Sequence, residues 1–416
     1  MTNMKCNSWT VALISAGVLS LPGTSNAEEK PSSVLTALSS TTLSGYVDTS
    51  AHWNLGTGNA NLPPYTPNGQ PGGTKADGFN LDVVALTVNK PAGEEPWSAG
   101  YNATLLFGPD AVGYNTSFIG TKQAAVDDFS LKDTYVDLHA PLGNGLDLKL
   151  GTFTETLGYE VYEAGSNPNY TRSYGYMIEP TALTGLLAGY QVCPAVLFNA
   201  GVVDTWSAGV NSRAFLTTPA KAESFKTYVA SMTFTAPTNC GFLSGSTLSG
   251  GVINGWDAFN LVDKTSLYVG ATVNTPISNL KAGVAYDYVF LGPNALGPGG
   301  ATENAGYQNV LGLYLNYQAT EKLAFNTRGE YFSQSGYLAT TAQTALASGS
   351  SDGLTAKSAF EVTETVQYDL WKNVIARGEL RWDHAADGSN SFGGATAGTG
   401  TRDNAFLLAA NIIFKF

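Results

Sequence analysis

The sequence predicts an all-β protein, a transmembrane antiparallel β-barrel of about 16 strands with short periplasmic turns and long extracellular loops. Three observations predict it: segments of alternating apolar and polar residues, a regular succession of short and long connections, and an apolar-alternating last segment that ends at Phe416. Successive side chains of a strand point to opposite faces. In a closed barrel the apolar face can meet lipid while every backbone group remains paired.

The composition agrees with strands that have one apolar and one polar face. Charged residues are 13% of the 416 residues, and 47 residues are glycine. Soluble domains usually carry about 25% charged residues. No stretch of eighteen apolar residues follows the N-terminal region, which excludes a bundle of ordinary transmembrane helices. The formal net charge of −12 argues against a nucleic-acid partner, which would need clustered Lys and Arg.

Residues 1–27 have the pattern of a secretory signal peptide. Lys5 provides the positive region, residues 10–21 the apolar region, and Ser25-Asn26-Ala27 the small-residue cleavage site. We expect the mature chain to have a short periplasmic N-terminal segment, 28–42, followed by the transmembrane barrel, 43–416. An exported barrel of this kind belongs in the outer membrane of a Gram-negative bacterium.

Alternating segments recur along the whole mature chain. The predicted strands are 43–55, 78–90, 98–108, 129–140, 145–155, 183–193, 195–206, 226–236, 243–256, 265–276, 279–291, 307–318, 322–333, 357–370, 373–384 and 403–416. Their connections alternate between short and long, which a soluble sandwich would not require. An even number of strands places both termini on the periplasmic side, so the last strand can pair with the first.

The polar face of these strands should line the lumen. The clearest pattern is in strand fifteen, and Glu361 and Glu364 extend it into strand fourteen. The predicted pore-lining residues are Asp48, Asp82, Asp133, Asp137, Asp147, Lys149, Arg328, Glu330, Arg377, Glu379, Arg381 and Asp383. Such residues could set a transverse field that selects solutes. They could equally hydrate the wall and pair with one another.

The third long loop, 156–182, carries the most specific motif. The segment from Leu148-Lys149-Leu150-Gly151-Thr152-Phe153 to Asn167-Pro168-Asn169-Tyr170-Thr171-Arg172-Ser173 resembles the OmpL-like beta-barrel porin family, as does Leu43-Ser44-Gly45-Tyr46-Val47-Asp48. The resemblance implies that the loop folds into the lumen. The constriction would then hold Glu155, Glu160, Glu163, Arg172 and Glu179. The alternative is an external loop rich in turn residues.

The resemblance also bears on partners. It implies that the aromatic C-terminus at Phe416 is recognised by the outer-membrane assembly machinery, and that the barrel forms a homotrimer. The other expected partners are outer-membrane lipid and small hydrophilic solutes.

Two cysteines remain after the signal peptide, Cys193 and Cys240, each in a predicted short turn. The turns would be consecutive on one membrane side, and an exported protein can be oxidised. We therefore predict a disulfide between them, with two free thiols as the alternative.

A barrel of this size has an interior wide enough for an aqueous channel. We expect passive diffusion of small hydrophilic solutes, without catalysis, cofactor or metal. The histidines His52, His139 and His384 have no metal-binding spacing, and no Gly-x-Ser-x-Gly motif is present. One alternative is a non-conducting barrel that displays long loops such as 334–356 and 385–402 for adhesion or recognition. A barrel-borne hydrolase is the other.

Overall fold

The computed structural model describes residues 40–65, 77–93, 95–114, 129–206, 209–210, 226–257, 262–293, 305–340 and 354–416. The predicted signal peptide, 1–27, and residues 28–39 of the predicted periplasmic segment lie outside these ranges. All structural statements below refer to the described residues.

Sixteen strands form one closed antiparallel barrel, in which each strand pairs with its neighbours in sequence and β1 pairs with β16. The strands are β1 Thr42–Trp53, β2 Gly78–Lys90, β3 Ser98–Phe107, β4 Phe129–Ala140, β5 Leu146–Thr154, β6 Ala182–Cys193, β7 Val196–Val203, β8 Thr227–Thr235, β9 Thr247–Asp257, β10 Val262–Asn274, β11 Leu280–Leu291, β12 Gly306–Gln318, β13 Leu323–Gln334, β14 Ser358–Trp371, β15 Val374–Ala385 and β16 Asn404–Lys415. The predicted fold class is confirmed.

The end of the chain closes the barrel. The amide of Phe416 donates to the carbonyl of Gly45, and the amide of Gly45 donates to the carbonyl of Phe416; each hydrogen bond is 3.0 Å long. The pairing continues along β16 as far as Trp53 opposite Leu408. Since the first and last strands pair, the sheet has no free edge at this seam.

The two faces of β16 show which side of the wall meets lipid. Leu408, Ile412 and Phe414 are 43 to 50% exposed, whereas Leu407 and Ile413, on the opposite face of the strand, are buried. The exposed side chains point out of the barrel and the buried ones into it, as alternation requires. An apolar exterior of this kind is what a bilayer core demands.

The connections alternate as predicted, with two exceptions in length. The β9–β10 connection, 258–261, has four residues on the side of the long loops, and the β8–β9 connection, 236–246, is long on the side of the turns. Short α-helices lie in loops, among them α1 Pro109–Tyr114 and α2 Tyr174–Ile178, together with the 3-10 turns Ala164–Ser166 and Gly241–Leu243. Residues 336–340, after β13, are also helical. Within the described residues, no helix is long and apolar enough to cross a membrane.

The predicted disulfide is absent. Cys193 and Cys240 are both free and exposed. Cys193 ends β6, whereas Cys240 lies in the turn beyond β8, so β7 and β8 separate the two turns. Neighbouring strands are about 4.8 Å apart, and a disulfide needs Cα atoms within about 7 Å of each other. Cys193 at the end of β6 is therefore about two strand spacings, roughly 10 Å, from β8, which is farther than a disulfide spans without backbone movement.

Candidate functional site: the loop inside the barrel

The loop that connects β5 to β6, residues 155–181, lies in the lumen, and we call it the lumen loop. Its middle is almost entirely shielded from solvent: Asn169 is 0% exposed, Thr171 1% and Arg172 2%. A loop that lay outside the barrel would be exposed to water. The lumen loop contacts the wall at three places, described in turn below.

The loop's own sequence shapes its path. Asn167 accepts a hydrogen bond from the Val161 amide at 2.8 Å, and its side-chain amide donates to the carbonyls of Val161 and Glu163. Ser173 caps α2 by accepting a hydrogen bond from the Tyr176 amide. Asn and Ser are suited to these positions because their short polar side chains bond the nearby backbone.

Arginines of the β13–β15 wall bind the carbonyl groups of the lumen loop. Arg377 donates to the carbonyls of Ala164 and Asn167 at 2.8 and 2.7 Å. Arg381 donates to the carbonyl of Arg172 at 2.7 Å, and Arg328 to that of Thr171 at 2.8 Å. These three arginines were predicted to line the pore. They face the lumen, but their donors are occupied by the loop backbone.

Carboxylates of the same wall bind the amide groups of the loop. Glu379 accepts hydrogen bonds from the amides of Tyr170 and Thr171 at 2.6 and 3.0 Å. Glu330 accepts from the amides of Tyr174 and Gly175 at 2.7 and 3.3 Å. Wall arginines and wall glutamates thus satisfy both kinds of backbone group in a loop that water does not reach.

The buried charges also neutralise one another. Arg328 lies 2.8 Å from Glu160 of the loop and 3.2 Å from Glu361 of β14, and Arg381 lies 2.7 Å from Asp383. A buried ion pair adds little net stability, but removing one partner leaves an unpaired buried charge at a cost of roughly 3–5 kcal/mol. Both residues of each pair are therefore needed to hold the loop.

A second contact lies at β1, β2 and β4. The Tyr170 hydroxyl donates to Ser50 at 2.9 Å, and Ser50 donates to Asp82 at 3.0 Å. Lys132 reaches Glu163 of the loop at 2.7 Å and its neighbour Asp133 at 2.5 Å.

The sequence pattern did not reveal Lys132, because strict alternation places Lys132 and Asp133 on opposite faces. A register shift between β3 and β4, where Ala103 pairs with Thr134 but Leu105 with Leu131, adds a residue at this point and breaks the alternation. The shift between β1 and β2 does the same at Asp82.

The third contact is apolar. Tyr159 of the loop stacks on Tyr314 of β12, with ring centroids 4.0 Å apart. Leu157 joins a buried cluster with lumen-facing residues of β5 to β10, among them Leu183 and Ile253. The lumen loop therefore crosses the barrel from a charged wall to an apolar one.

Of the remaining predicted pore-lining residues, Asp137, Asp147 and Lys149 lie toward the periplasmic turns, whereas Asp48 lies in the middle of β1. His139 approaches Asp147 at 2.6 Å, and the Lys149 ammonium lies 4.8 Å from the Tyr135 ring centroid. Asp137 is half-buried beside them, and Asp48 of β1 accepts a hydrogen bond from Asn411 at 2.9 Å. One residue of the sequence pattern is misplaced: Glu364 is three positions from Glu361 and so faces outward.

Glu179, at the end of the lumen loop, lies among other acids. Burial, and then the nearby Asp287 of β11, raise the pKa of Glu179 well above its ordinary value, and Glu155 and Glu160 act in the same direction. Its Oε2 atom is buried without a hydrogen-bond partner. The pKa of Glu155 is likewise raised by burial. The docked loop therefore favours the neutral form of both carboxyls.

A closed sixteen-stranded barrel with an apolar exterior, a polar wall and a loop folded into its lumen is the architecture of an outer-membrane porin, a channel for solute diffusion in Gram-negative bacteria. The chain belongs to the family described as Putative beta-barrel porin-2, OmpL-like, whose model matches residues 40–416. The resemblance read from the sequence is confirmed.

Solved structures of outer-membrane proteins share the fold at low sequence identity. The outer membrane channel DcaP of Acinetobacter baumannii is 14% identical over 90% of this chain and 97% of its own, with a TM-score of 0.56. An anion-selective porin from Comamonas acidovorans is 13% identical over 91% and 99%, with a TM-score of 0.54. OmpT of Vibrio cholerae in a trimer form is 11% identical over 90% and 99%, with a TM-score of 0.50. No curated protein sequence matches the chain.

Replacing Arg377 by Gln should loosen the lumen loop, because the carbonyls of Ala164 and Asn167 lose their charged donor. We expect docking to weaken by roughly 1–3 kcal/mol, because buried carbonyl groups are left without a donor. The measurement is single-channel conductance in planar bilayers, which should rise and fluctuate more. Arg402→Gln makes the same chemical change at the extracellular rim and should leave conductance unchanged. Equal conductance for Arg377→Gln and the wild type would contradict the docking role.

Loop docking should depend on pH through Glu179. Its pKa is raised in the docked loop, so docking takes up a proton. The docked state is then fully favoured below the ordinary carboxyl pKa and weakens as pH rises above it. Conductance should increase from pH 5 to pH 8 in the wild type. Glu179→Gln, which stays neutral, should flatten this profile, and an unchanged profile in that variant would show that other groups are responsible.

Proposed function

We propose that the protein is a passive channel for small hydrophilic solutes and that the lumen loop forms its constriction. The observation that carries this proposal is the hydrogen bonding of the loop backbone by Arg328, Arg377, Arg381, Glu330 and Glu379 of the wall. Such contacts hold a loop across the lumen at a constant position, and a loop so held limits the solute size that the barrel admits. The residues shape the passage, and no bond is made or broken.

The channel should discriminate only weakly by charge. The N–H groups of the wall arginines donate to loop carbonyls and to carboxylates, so these arginines do not present a free cationic surface. The periplasmic half of the lumen mixes signs, with Asp137, Asp147 and Lys149 close together. The electric fields of neighbouring opposite charges largely cancel, and dissolved salt screens the remaining field within a short distance.

We assign no catalytic role to the histidines. His139 and His384 belong to opposite ends of the barrel, and His52 is a buried wall residue of β1. Among the described residues no group of three or more His, Cys, Asp or Glu could hold a metal ion.

Planar-bilayer recording of the refolded mature chain tests the proposal. We expect discrete conductance steps and a small reversal potential in a potassium chloride gradient, because the lumen carries both signs of charge. Conductance no higher than that of the lipid alone would refute the channel. A reversal potential close to that of an ideally selective membrane would refute the weak selectivity.

We also infer that copies of the chain associate as a homotrimer through the outer face around Glu364. This carboxyl lies in the middle of β14, is exposed on the lipid-facing side, and accepts a hydrogen bond from Thr327 at 2.5 Å. An ionisable group in the bilayer core is costly unless protein covers it. Gly378 and Ala410, paired across β15 and β16 nearby, leave room for close approach.

A leucine in place of Gly378 should disrupt this association. A Cβ atom there meets nothing within 4 Å, so the barrel itself tolerates the change while a second barrel does not. Light scattering of the protein in mild detergent should give a trimer mass for the wild type and a monomer mass for Gly378→Leu. Ala230→Leu, on the outer face of β8, is the matched control and should remain trimeric. A monomeric wild type, or a trimeric Gly378→Leu, would contradict the inference.

A further inference from the structure

A pocket of about 540 Å³ opens at the extracellular ends of β1, β15 and β16, outside the lumen. Its walls include Leu55, Trp382 and Phe406 from the strand ends and Asn390, Arg402 and Asp403 from the loop between β15 and β16. Neither the channel nor the lumen loop uses these residues. The apolar and polar members occupy different levels of the pocket.

The lower wall belongs to the lipid-facing surface. Trp382 pairs with Phe406 across β15 and β16, and both are exposed, as is Leu55 just beyond β1. They continue the outward rows that hold Leu380 and Leu408 in the same two strands. The indole of Trp382 donates to Asn404 at 2.8 Å, which fixes the ring. An aromatic ring held in this way marks the boundary between hydrocarbon and head groups.

The upper wall is polar and carries a cation. The backbone of Arg402 is held by a bridge to Phe392, with hydrogen bonds of 2.9 Å. Its guanidinium makes no hydrogen bond or ion pair with any residue that the structure describes, in contrast to Arg328, Arg377 and Arg381 of the lumen. Asp403 and Asn390 lie beside it and offer oxygen acceptors.

Three chemical features of an occupant follow from these walls. A free guanidinium binds phosphate oxygens through paired N–H groups. The Asp403 carboxylate would repel a second anion but accepts hydrogen bonds from hydroxyl groups, such as those of a sugar. The aromatic and aliphatic wall below continues into the bilayer and suits an acyl chain. A sugar offers several hydroxyl groups, enough for both Asp403 and Asn390, whereas an ethanolamine head offers a single ammonium group, which would pair with Asp403 alone.

We propose that this pocket binds a phosphorylated glycolipid of the outer leaflet, with its phosphate on Arg402, its sugar hydroxyls on Asp403 and Asn390, and an acyl chain along Trp382 and Phe406. The site is independent of the channel. It would anchor the extracellular ends of β15, β16 and β1, next to the seam that closes the barrel.

Binding of fluorescent lipid A to the refolded full-length mature chain in a zwitterionic detergent tests the proposal by fluorescence anisotropy. Arg402→Gln should weaken binding roughly tenfold, because a charge-assisted contact is lost. Lys372→Gln removes an exposed cation from a periplasmic turn and should leave binding unchanged. Trp382→Ala should also weaken binding. The heat-dependent gel shift of folded barrels verifies that each variant is folded.

Competitors identify the source of the phosphate. Unlabelled lipid A should displace the probe, whereas inorganic phosphate and lipid A stripped of its phosphates should not at the same concentration. Equal affinity for the wild type and Arg402→Gln would overturn the proposal. Displacement by inorganic phosphate would show a free-anion site and would overturn the assignment to a lipid, as would equal binding of the dephosphorylated lipid.

Discussion

Hydrogen bonding between wall charges and the lumen-loop backbone is the interaction on which this structure depends. A barrel of sixteen strands encloses more space than its inward side chains can fill. A loop that enters this space leaves water, and its amides and carbonyls then need partners. Arg377 and Glu379, two residues apart on one strand face, supply a donor and an acceptor at the same depth. The same charges that make the wall polar are thus the ones that keep the loop in place.

This arrangement changes what the charges can do for a solute. An arginine whose N–H groups already bind carbonyls of the loop and carboxylates of the wall is held rigidly and is largely neutralised locally. The field in the passage comes from what remains, which is the mixed set near the periplasmic turns and the acids at the end of the loop. Glu179 connects this field to loop position, because its raised pKa in the docked loop favours the neutral carboxyl, whereas release of the loop favours ionisation.

The outer surface follows a different physical constraint, since lipid offers no hydrogen bonds. Most outward side chains are apolar, so the exceptions require an explanation. Glu364 with Thr327 lies in the middle of the wall, where a second barrel can cover it. The Arg402 pocket lies at the rim, where charged head groups are available. In the two proposals, depth in the membrane therefore separates the surface that would contact a second barrel from the pocket that would contact lipid.

Alternation and connection length were enough to predict the number of strands, the lipid-facing side of most strands and the closure at Phe416, because these depend on a period of two residues and on the spacing of the turns. Tertiary structure decided what depends on distant partners. The bulge at Lys132 arises from register, in which one added residue changes the face. The separation of Cys193 from Cys240 arises from the order of the strands around the barrel. The engagement of the wall arginines by the loop also follows from tertiary structure, since it joins positions more than 150 residues apart and no local pattern encodes such a contact.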